Sequence, residues 1–253
     1  MIKATAVIPA RYGSTRFPGK PLANRTGKPL IQHVVEQVAQ ARTVSRIIVA
    51  TDDQRIAEVV EAFGGCCRLT GADHPNGTSR IAEVVAQLAS DSEPIILNVQ
   101  GDEPQVPAAM IDQLVEHLAG DAQVPMATVA SRFAAGEDPD DPNIVKVVVD
   151  QRSRALYFSR CPIPFARTPR GDGLLKHAGL YAYRRPFLLR YVQLRPTPAE
   201  QAEQLEQLRA LEHGFPIAVA IWPGVCHHGI DTPEQYDAFV QRVAASPTGH
   251  RGD

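Results

Sequence analysis

Short apolar runs rich in β-branched residues alternate along this chain with longer stretches of helical period. That alternation restricts it to folds built from βαβ units around a mostly parallel sheet. Residues 4–9 read as a buried strand, after which Leu30, Val34, Val35, Val38 and Ala41 fall on one helical face. Residues 46–50 read as a second strand. Asp52 or Asp53 can cap a helix carrying Ile56, Val59, Val60 and Phe63, and Gly64-Gly65 ends it. A third strand is expected at 66–69, a helix through Ile81, Val84, Val85 and Leu88, a fourth strand at 94–99, and a helix from Pro107 to Leu118.

The second half is less regular. Strands at 126–130, 145–149, 155–158 and 180–183 have little helix between them, which predicts a hairpin-rich extension of the same sheet. Helices are expected at 199–212 and 233–243, with a strand at 217–222 between them. The reading is an α/β, doubly wound, mostly parallel sheet. With 253 residues, one domain over 1–245 accommodates it, leaving 246–253 as a frayed tail.

A formal net charge of -2 is not that of a general nucleic-acid binder. No run approaches the roughly 18 apolar residues of a membrane span, and the start runs straight into a strand pattern, so a cytoplasmic location is expected. Cys66, Cys67, Cys161 and Cys226 form no Cys-x-x-Cys pair and read as reduced thiols.

The loop at 11–20, Arg-Tyr-Gly-Ser-Thr-Arg-Phe-Pro-Gly-Lys, directly follows the first strand. Its glycines let backbone N–H groups approach phosphate oxygens, and Arg11, Arg16 and Lys20 offset the negative charge of a triphosphate. It is not a Walker A loop, because Pro21 follows Lys20, and it lacks the Gly-x-Gly-x-x-Gly spacing of dinucleotide binders.

Asp102 ends the fourth strand, where open α/β sheets hold their ligands, and Asp231 follows a later strand. Two carboxylates at one sheet edge can share Mg²⁺, with phosphates and water completing its shell. Asp231 also stands where a helix cap belongs, since Thr232-Pro233-Glu234 is a good helix start, and the sequence leaves both readings open. His227 and His228 point to opposite sides of an extended segment, which disfavours a zinc site.

Five stretches taken together identify a relationship: Ile-Pro-Ala-Arg-Tyr-Gly-Ser-Thr-Arg-Phe-Pro-Gly-Lys-Pro-Leu at 8–22, Asn-Val-Gln-Gly-Asp-Glu-Pro at 98–104, His-Ala-Gly-Leu-Tyr-Ala-Tyr-Arg at 177–184, Leu-Glu-Gln-Leu-Arg at 205–209 and Gly-Ile-Asp-Thr-Pro-Glu at 229–234. In that order they resemble the 3-deoxy-D-manno-octulosonate (Kdo) cytidylyltransferases, or CMP-Kdo synthetases. The resemblance implies the nucleotide-diphospho-sugar transferase fold, a homodimer, Mg²⁺, CTP and Kdo as substrates, and a place in lipopolysaccharide synthesis.

Carried over by position, the resemblance makes Arg11, Ser14, Arg16 and Lys20 contacts of the triphosphate, and Thr78 and Arg80 part of the segment closing over the base. Asp102 and Asp231 become the metal pair. Gln100 serves both nucleotide and sugar, while His177, Tyr181, Glu206 and Gln207 form the sugar pocket and Arg160 meets the substrate carboxylate. On the residues alone, His177 would be a core histidine and Glu206 and Gln207 a solvated helix face. Arg11, Lys20, Asp102 and Asp231 are the expected catalytic set, for in-line attack of the sugar's anomeric hydroxyl on the α-phosphate. Alternatives are a cytidylyltransferase for another acidic sugar such as sialic acid, a non-catalytic nucleotide-binding module, and a glycosyltransferase of related architecture.

Overall fold

The computed structural model describes residues 2–89, 93–167, 173–224, 226 and 229–245. The expected tail and His227 and His228 lie outside the described residues.

β1 (Ala4–Ala10) leads through a short 3-10 helix (Lys20–Leu22) to α1 (Leu30–Val38), β2 (Val44–Thr51), α2 (Gln54–Ala62) and β3 (Cys67–Leu69). Then come α3 (Gly77–Ala86), β4 (Ile95–Asn98), α4 (Ala108–Gly120) and β5 (Met126–Arg132). β6 (Lys146–Val149), β7 (Ala155–Ser159), β8 (Leu175–Arg184), α5 (Arg185–Tyr191), α6 (Pro198–Glu203), α7 (Gln207–Glu212), β9 (Ile217–Trp222) and α8 (Pro233–Ala245) follow. The main sheet runs β3-β2-β1-β4-β8-β5-β9. β8 is antiparallel to both β4 and β5; the other pairings along this path are parallel. From β1 the chain winds outward to β2 and β3, then returns to place β4 on the other side. The crevice beyond the carboxyl ends of β1 and β4 is therefore the topological switch point, where such sheets bind ligands.

Period-2 alternation in the central strands feeds two cores. Ala6, Ile8, Ile95 and Leu97 pack with Ile31, Val34, Ile111 and Leu114 on one face; Val7 and Ile96 pack with Ile81, Val85, Phe158 and Tyr191 on the other. The β6–β7 hairpin pairs with the first half of β8. A register shift lies opposite Thr128 and Val129, where Gly179 and Leu180 have no partner on β5. This bulge lets β8 serve the hairpin at one end and the main sheet at the other.

Two expectations need correction. The single helix expected at 199–212 is two, α6 and α7, because Gln204 takes a left-handed conformation with φ 53°. α5, seven residues long, was not anticipated; it is too short to show a helical period and starts at Arg185-Pro186. All four cysteines are free thiols, and among the described residues no helix is long and apolar enough to cross a membrane.

Buried Asp112 on α4 ties that helix to the entrance of β2. It accepts from the Thr43 amide at 2.8 Å, the Thr43 hydroxyl at 2.8 Å and Arg42 Nε at 3.1 Å. Burial pushes its pKa up, but these donors outweigh burial and hold it below the usual carboxylate value. A carboxyl with a depressed folded-state pKa contributes stability above its unfolded pKa, about 3.9, and loses it as pH falls through the folded value. Asp112→Asn is therefore expected to lower unfolding free energy by about 1–3 kcal/mol at pH 7. Urea titrations at pH 7 and pH 3 check this: the gap between variant and unaltered chain narrows at pH 3, and an equal gap at both would contradict it.

Candidate active site

The loop after β1 closes on itself. The Tyr12 carbonyl accepts from the amides of Ser14 at 3.0 Å and Gly19 at 2.9 Å, and Gly19 is left-handed at φ 71°. This turn sends the Lys20 side chain inward, and Lys20 is buried. Its ammonium donates to Asp102 Oδ2 at 2.7 Å, the Ile230 carbonyl at 2.6 Å and Asp231 Oδ1 at 3.3 Å. Three acceptors use all three ammonium protons.

Asp102 reaches this point because of Gly101. A Cβ at Gly101 would lie 2.7 Å from the Pro9 carbonyl, so only glycine lets the strand-end loop pass so close to β1. The Ile230 amide donates to the Asp102 carbonyl at 2.8 Å and locks the 229–231 segment against this loop.

Of the two readings of Asp231, the cap is taken by its neighbour. The Thr232 hydroxyl accepts from the Gln235 amide at 3.3 Å, and the Gln235 side chain accepts from the amides of Asp231 at 2.6 Å and Thr232 at 3.1 Å. Thr232 and Gln235 form the capping box of α8. The Asp231 carboxylate instead faces Lys20 and Arg16, the latter at 3.0 Å.

Arg11, Ser14, Arg16, Lys20, Asp102 and Asp231 line one cavity of about 510 Å³. Across it stand Asn76, Gly77 and Arg80, and Gln100 and Glu206 close its inner end. Asn76 caps α3 by accepting from the Ser79 amide at 2.9 Å. The Arg80 guanidinium reaches the cavity while held by Asp52 at 3.0 Å, the Thr70 hydroxyl at 2.5 Å and the Gly71 carbonyl at 3.3 Å.

A second cavity, of about 210 Å³, shares Gly77, Gln100 and Glu206 with the first and adds Thr78, Tyr181 and Gln207. Thr78 donates to Glu206 at 3.0 Å. Burial raises the pKa of Glu206, and Tyr181 stays a neutral phenol, its pKa raised well above the usual value chiefly by burial. Gln207 is buried, and its amide nitrogen has no hydrogen-bond partner among the described residues. A buried donor left unmade is costly, and a ligand oxygen would satisfy it.

Two expected sugar-site residues are not brought to this cavity. His177 opens on a third space of about 90 Å³ beside Glu103 and Gly179. Its Nε2 shares a 2.8 Å hydrogen bond with the Thr128 hydroxyl, whose own proton reaches the Leu180 carbonyl at 2.8 Å, so Nε2 carries the ring proton. Burial pushes its pKa down to about 3. Arg160 lines none of the three cavities. Its guanidinium donates to the carbonyls of Glu203 at 2.7 Å, Pro142 at 2.9 Å and Gln204 at 3.3 Å, and so pins the turn before α7. Three of its five N–H groups go to backbone carbonyls, a placement that the sequence does not show.

Glu103 was missed. Burial first, then the charges of Asp102 and Asp231, push its pKa up to about 8.

The donor set suits a hard divalent cation. Two carboxylates converge on a single ammonium, close enough to share one ion, and among the described residues no group of three or more acidic, histidine or cysteine side chains could hold a metal alone. Phosphate oxygens and water would have to complete such a shell, as Mg²⁺ prefers.

The sequence profile of the cytidylyltransferase family matches residues 5–219. The chain belongs to this family. A Geobacter metallireducens member, named 3-deoxy-manno-octulosonate cytidylyltransferase, is 50% identical, covering 96% of this chain and 98% of its own. One of the same name from Syntrophobacter fumaroxidans is 50% identical over 98% and 100%. A solved CMP:2-keto-3-deoxy-manno-octonic acid synthetase complexed with CTP superposes with a TM-score of 0.90 at 43% identity, covering 96% of this chain and 98% of that one. A 4-diphosphocytidyl-2C-methyl-D-erythritol synthase from Anaerococcus prevotii, 15% identical with a TM-score of 0.60 and covering 95% and 99%, shares the fold. The fold is that of the nucleotide-diphospho-sugar transferases, as the sequence implied.

Proposed function

We propose that this protein activates Kdo: CTP and 3-deoxy-D-manno-octulosonate give CMP-Kdo and pyrophosphate, supplying lipopolysaccharide synthesis in the cytoplasm. The observation that carries this is the joining of the basic cavity to the polar one through Gln100 and Glu206, with the carboxylate pair in the basic cavity. A nucleotide whose triphosphate lies along the loop presents its α-phosphate near that junction, and a sugar in the inner cavity presents its hydroxyls to Gln100, Tyr181, Glu206 and Gln207.

The sugar's anomeric oxygen forms a bond to the α-phosphorus as the bond to pyrophosphate breaks, and the hydroxyl proton is released. Positioning and charge neutralisation dominate such a transfer. Arg11, Arg16 and Lys20 offset the triphosphate charge, Ser14 contributes a hydroxyl and Arg80 shapes the nucleotide side, whereas Thr78, expected beside the base, lines the inner cavity and holds Glu206. Asp102 and Asp231 hold Mg²⁺ in this reading, which would reduce the charge facing the nucleophile and lower the pKa of the attacking hydroxyl. Neutral His177, with its Nε2 proton on Thr128, supports the ring of Tyr181 at 5.4 Å. A homodimer is part of the reading, carried from the relatives' resemblance.

Pyrophosphate release measured with each nucleoside triphosphate and a panel of acidic sugars tests the proposal. CTP with Kdo is expected to turn over fastest; equal or faster turnover with sialic acid would sink the Kdo assignment, and CTP binding without release would mark a non-catalytic module. Gln207→Leu is expected to raise KM for the sugar acid about tenfold, the size of one lost buried hydrogen bond, while KM for CTP stays within twofold. Steady-state kinetics varying each substrate reads the split.

A further inference from the structure

Behind the loop, outside all three cavities, lies a contact that the catalytic reading does not use. The Arg55 guanidinium carbon sits over the Tyr12 ring, 3.5 Å from its centroid. Arg55 is held by both oxygens of Asp53, at 2.9 Å from Nε and 2.6 Å from Nη2. Asp53 is itself the N-cap of α2, accepting from the Arg55 amide at 3.0 Å.

Tyr12 in turn governs the loop in two ways. Its carbonyl takes the amides of Ser14 and Gly19, the two bonds that close the turn. The hydroxyl end of its ring packs on Gly19, where a Cβ would stand 3.1 Å from the ring. Gly19 is the left-handed residue immediately before Lys20. A continuous chain of contacts thus runs from the capped end of α2 through Arg55 and Tyr12 to the turn carrying Ser14, Arg16 and Lys20. α2 also packs on the short helix that starts at Lys20, so both ends of the chain are anchored to one rigid element.

We propose that Arg55 and Tyr12 are positioning residues for the phosphate-binding loop, with Arg55 acting through the Tyr12 ring. A turn of this kind must hold its amides and Lys20 in a fixed arrangement before the nucleotide arrives; otherwise ordering them is subtracted from nucleotide affinity. A cation over an aromatic face, oriented by a bidentate carboxylate, supplies such a restraint from outside the cavity. The kinetic part of this inference rests on the triphosphate reading of the loop; the closure of the loop itself does not.

The experiment compares Arg55→Ala, Arg55→Lys, Tyr12→Leu and the double variant Arg55→Ala/Tyr12→Leu. Arg55→Ala keeps the amide that Asp53 caps, so α2 is retained, and thermal unfolding verifies this. KM for CTP is expected to rise about three- to fivefold in Arg55→Ala, the size of one exposed cation–π contact, with KM for the sugar acid unchanged. Arg55→Lys keeps a cation over the ring and recovers part of the loss. In the double variant the two losses do not multiply, because one acts through the other.

Amide hydrogen exchange of the nucleotide-free protein provides a second readout. Gly19 and Ser14 are expected to exchange faster in Arg55→Ala than in the unaltered chain, while β1 does not. If no nucleotide is turned over by the unaltered chain, the functional reading fails and the exchange measurement still decides the loop's dependence on Arg55. Unchanged exchange at Gly19 overturns the proposal, as does a double variant whose loss is the product of the single ones.

Discussion

Asp231→Ala loses turnover by about a hundred- to a thousandfold and unfolds within a few degrees of the unaltered chain. The two halves of this expectation come from different contacts. α8 keeps its start, because Thr232 and Gln235, not Asp231, form the capping box. The ion pair with Arg16 joins side chains 66% and 43% exposed, and pairs so open to water contribute little, at most about 1 kcal/mol. What the substitution removes is half of the carboxylate pair beside the loop after β1. A preorganised charge at a phosphoryl-type transition state contributes about 2.7–4 kcal/mol, a factor of about a hundred to a thousand. Pyrophosphate release and a thermal melt on the same preparation decide the matter. Turnover above a tenth of the original would mean that Asp231 has no part in the chemistry.

Lys20→Met is expected to lower turnover by about a hundred- to a thousandfold, and unlike Asp231→Ala it should also lower the unfolding midpoint. The ammonium is buried among Asp102, Asp231 and the Ile230 carbonyl, and it joins the loop after β1 to the two segments that follow β4 and β9. Without it two carboxylates face each other with no shared counter-charge. Their side chains are 28% and 43% exposed, so water screens much of that repulsion, and the destabilisation stays well below that of breaking a fully buried pair. Lys20→Arg is not a rescue: a planar guanidinium cannot satisfy three acceptors arranged around one compact ammonium. If Lys20→Arg retained most of the turnover, the case for Lys20 as a point charge held by these three acceptors would be lost.

Gln204 shows why the second half of the chain was harder to read than the first. Helical period runs through 199–212 without a glycine or proline to interrupt it, yet Gln204 adopts φ 53° and splits the helix. The cause is not local. Arg160 donates to the carbonyls of Glu203 and Gln204, and Ser159 and the Arg160 amide donate to the Glu203 carboxylate, so the hairpin end holds the turn from outside. That same turn swings Glu206 and Gln207 into the cavity instead of leaving them on a solvated helix face. One long-range knot therefore accounts for the missed helix break, the place of Arg160 outside the three cavities and that of Glu206 and Gln207 along the inner one.

What the sequence alone determined was local: strand and helix periods in the first half, the glycine loop after the first strand, and an aspartate at the end of the fourth. Each of these depends on residues within a few positions of one another, and close approach at Gly101 or a left-handed Gly19 is written in the residue itself. The tertiary structure decided what stands opposite what. Insertion of antiparallel β8 between β4 and β5 pairs Asn98 with Tyr181 and so builds the inner cavity's wall. Return of the chain to the β1–β4 crevice at 229–231 turned Asp231 from a possible cap into a partner of Lys20 and Asp102. Such meetings depend on strand order and on contacts between residues 82 to 211 positions apart, which side-chain period cannot encode.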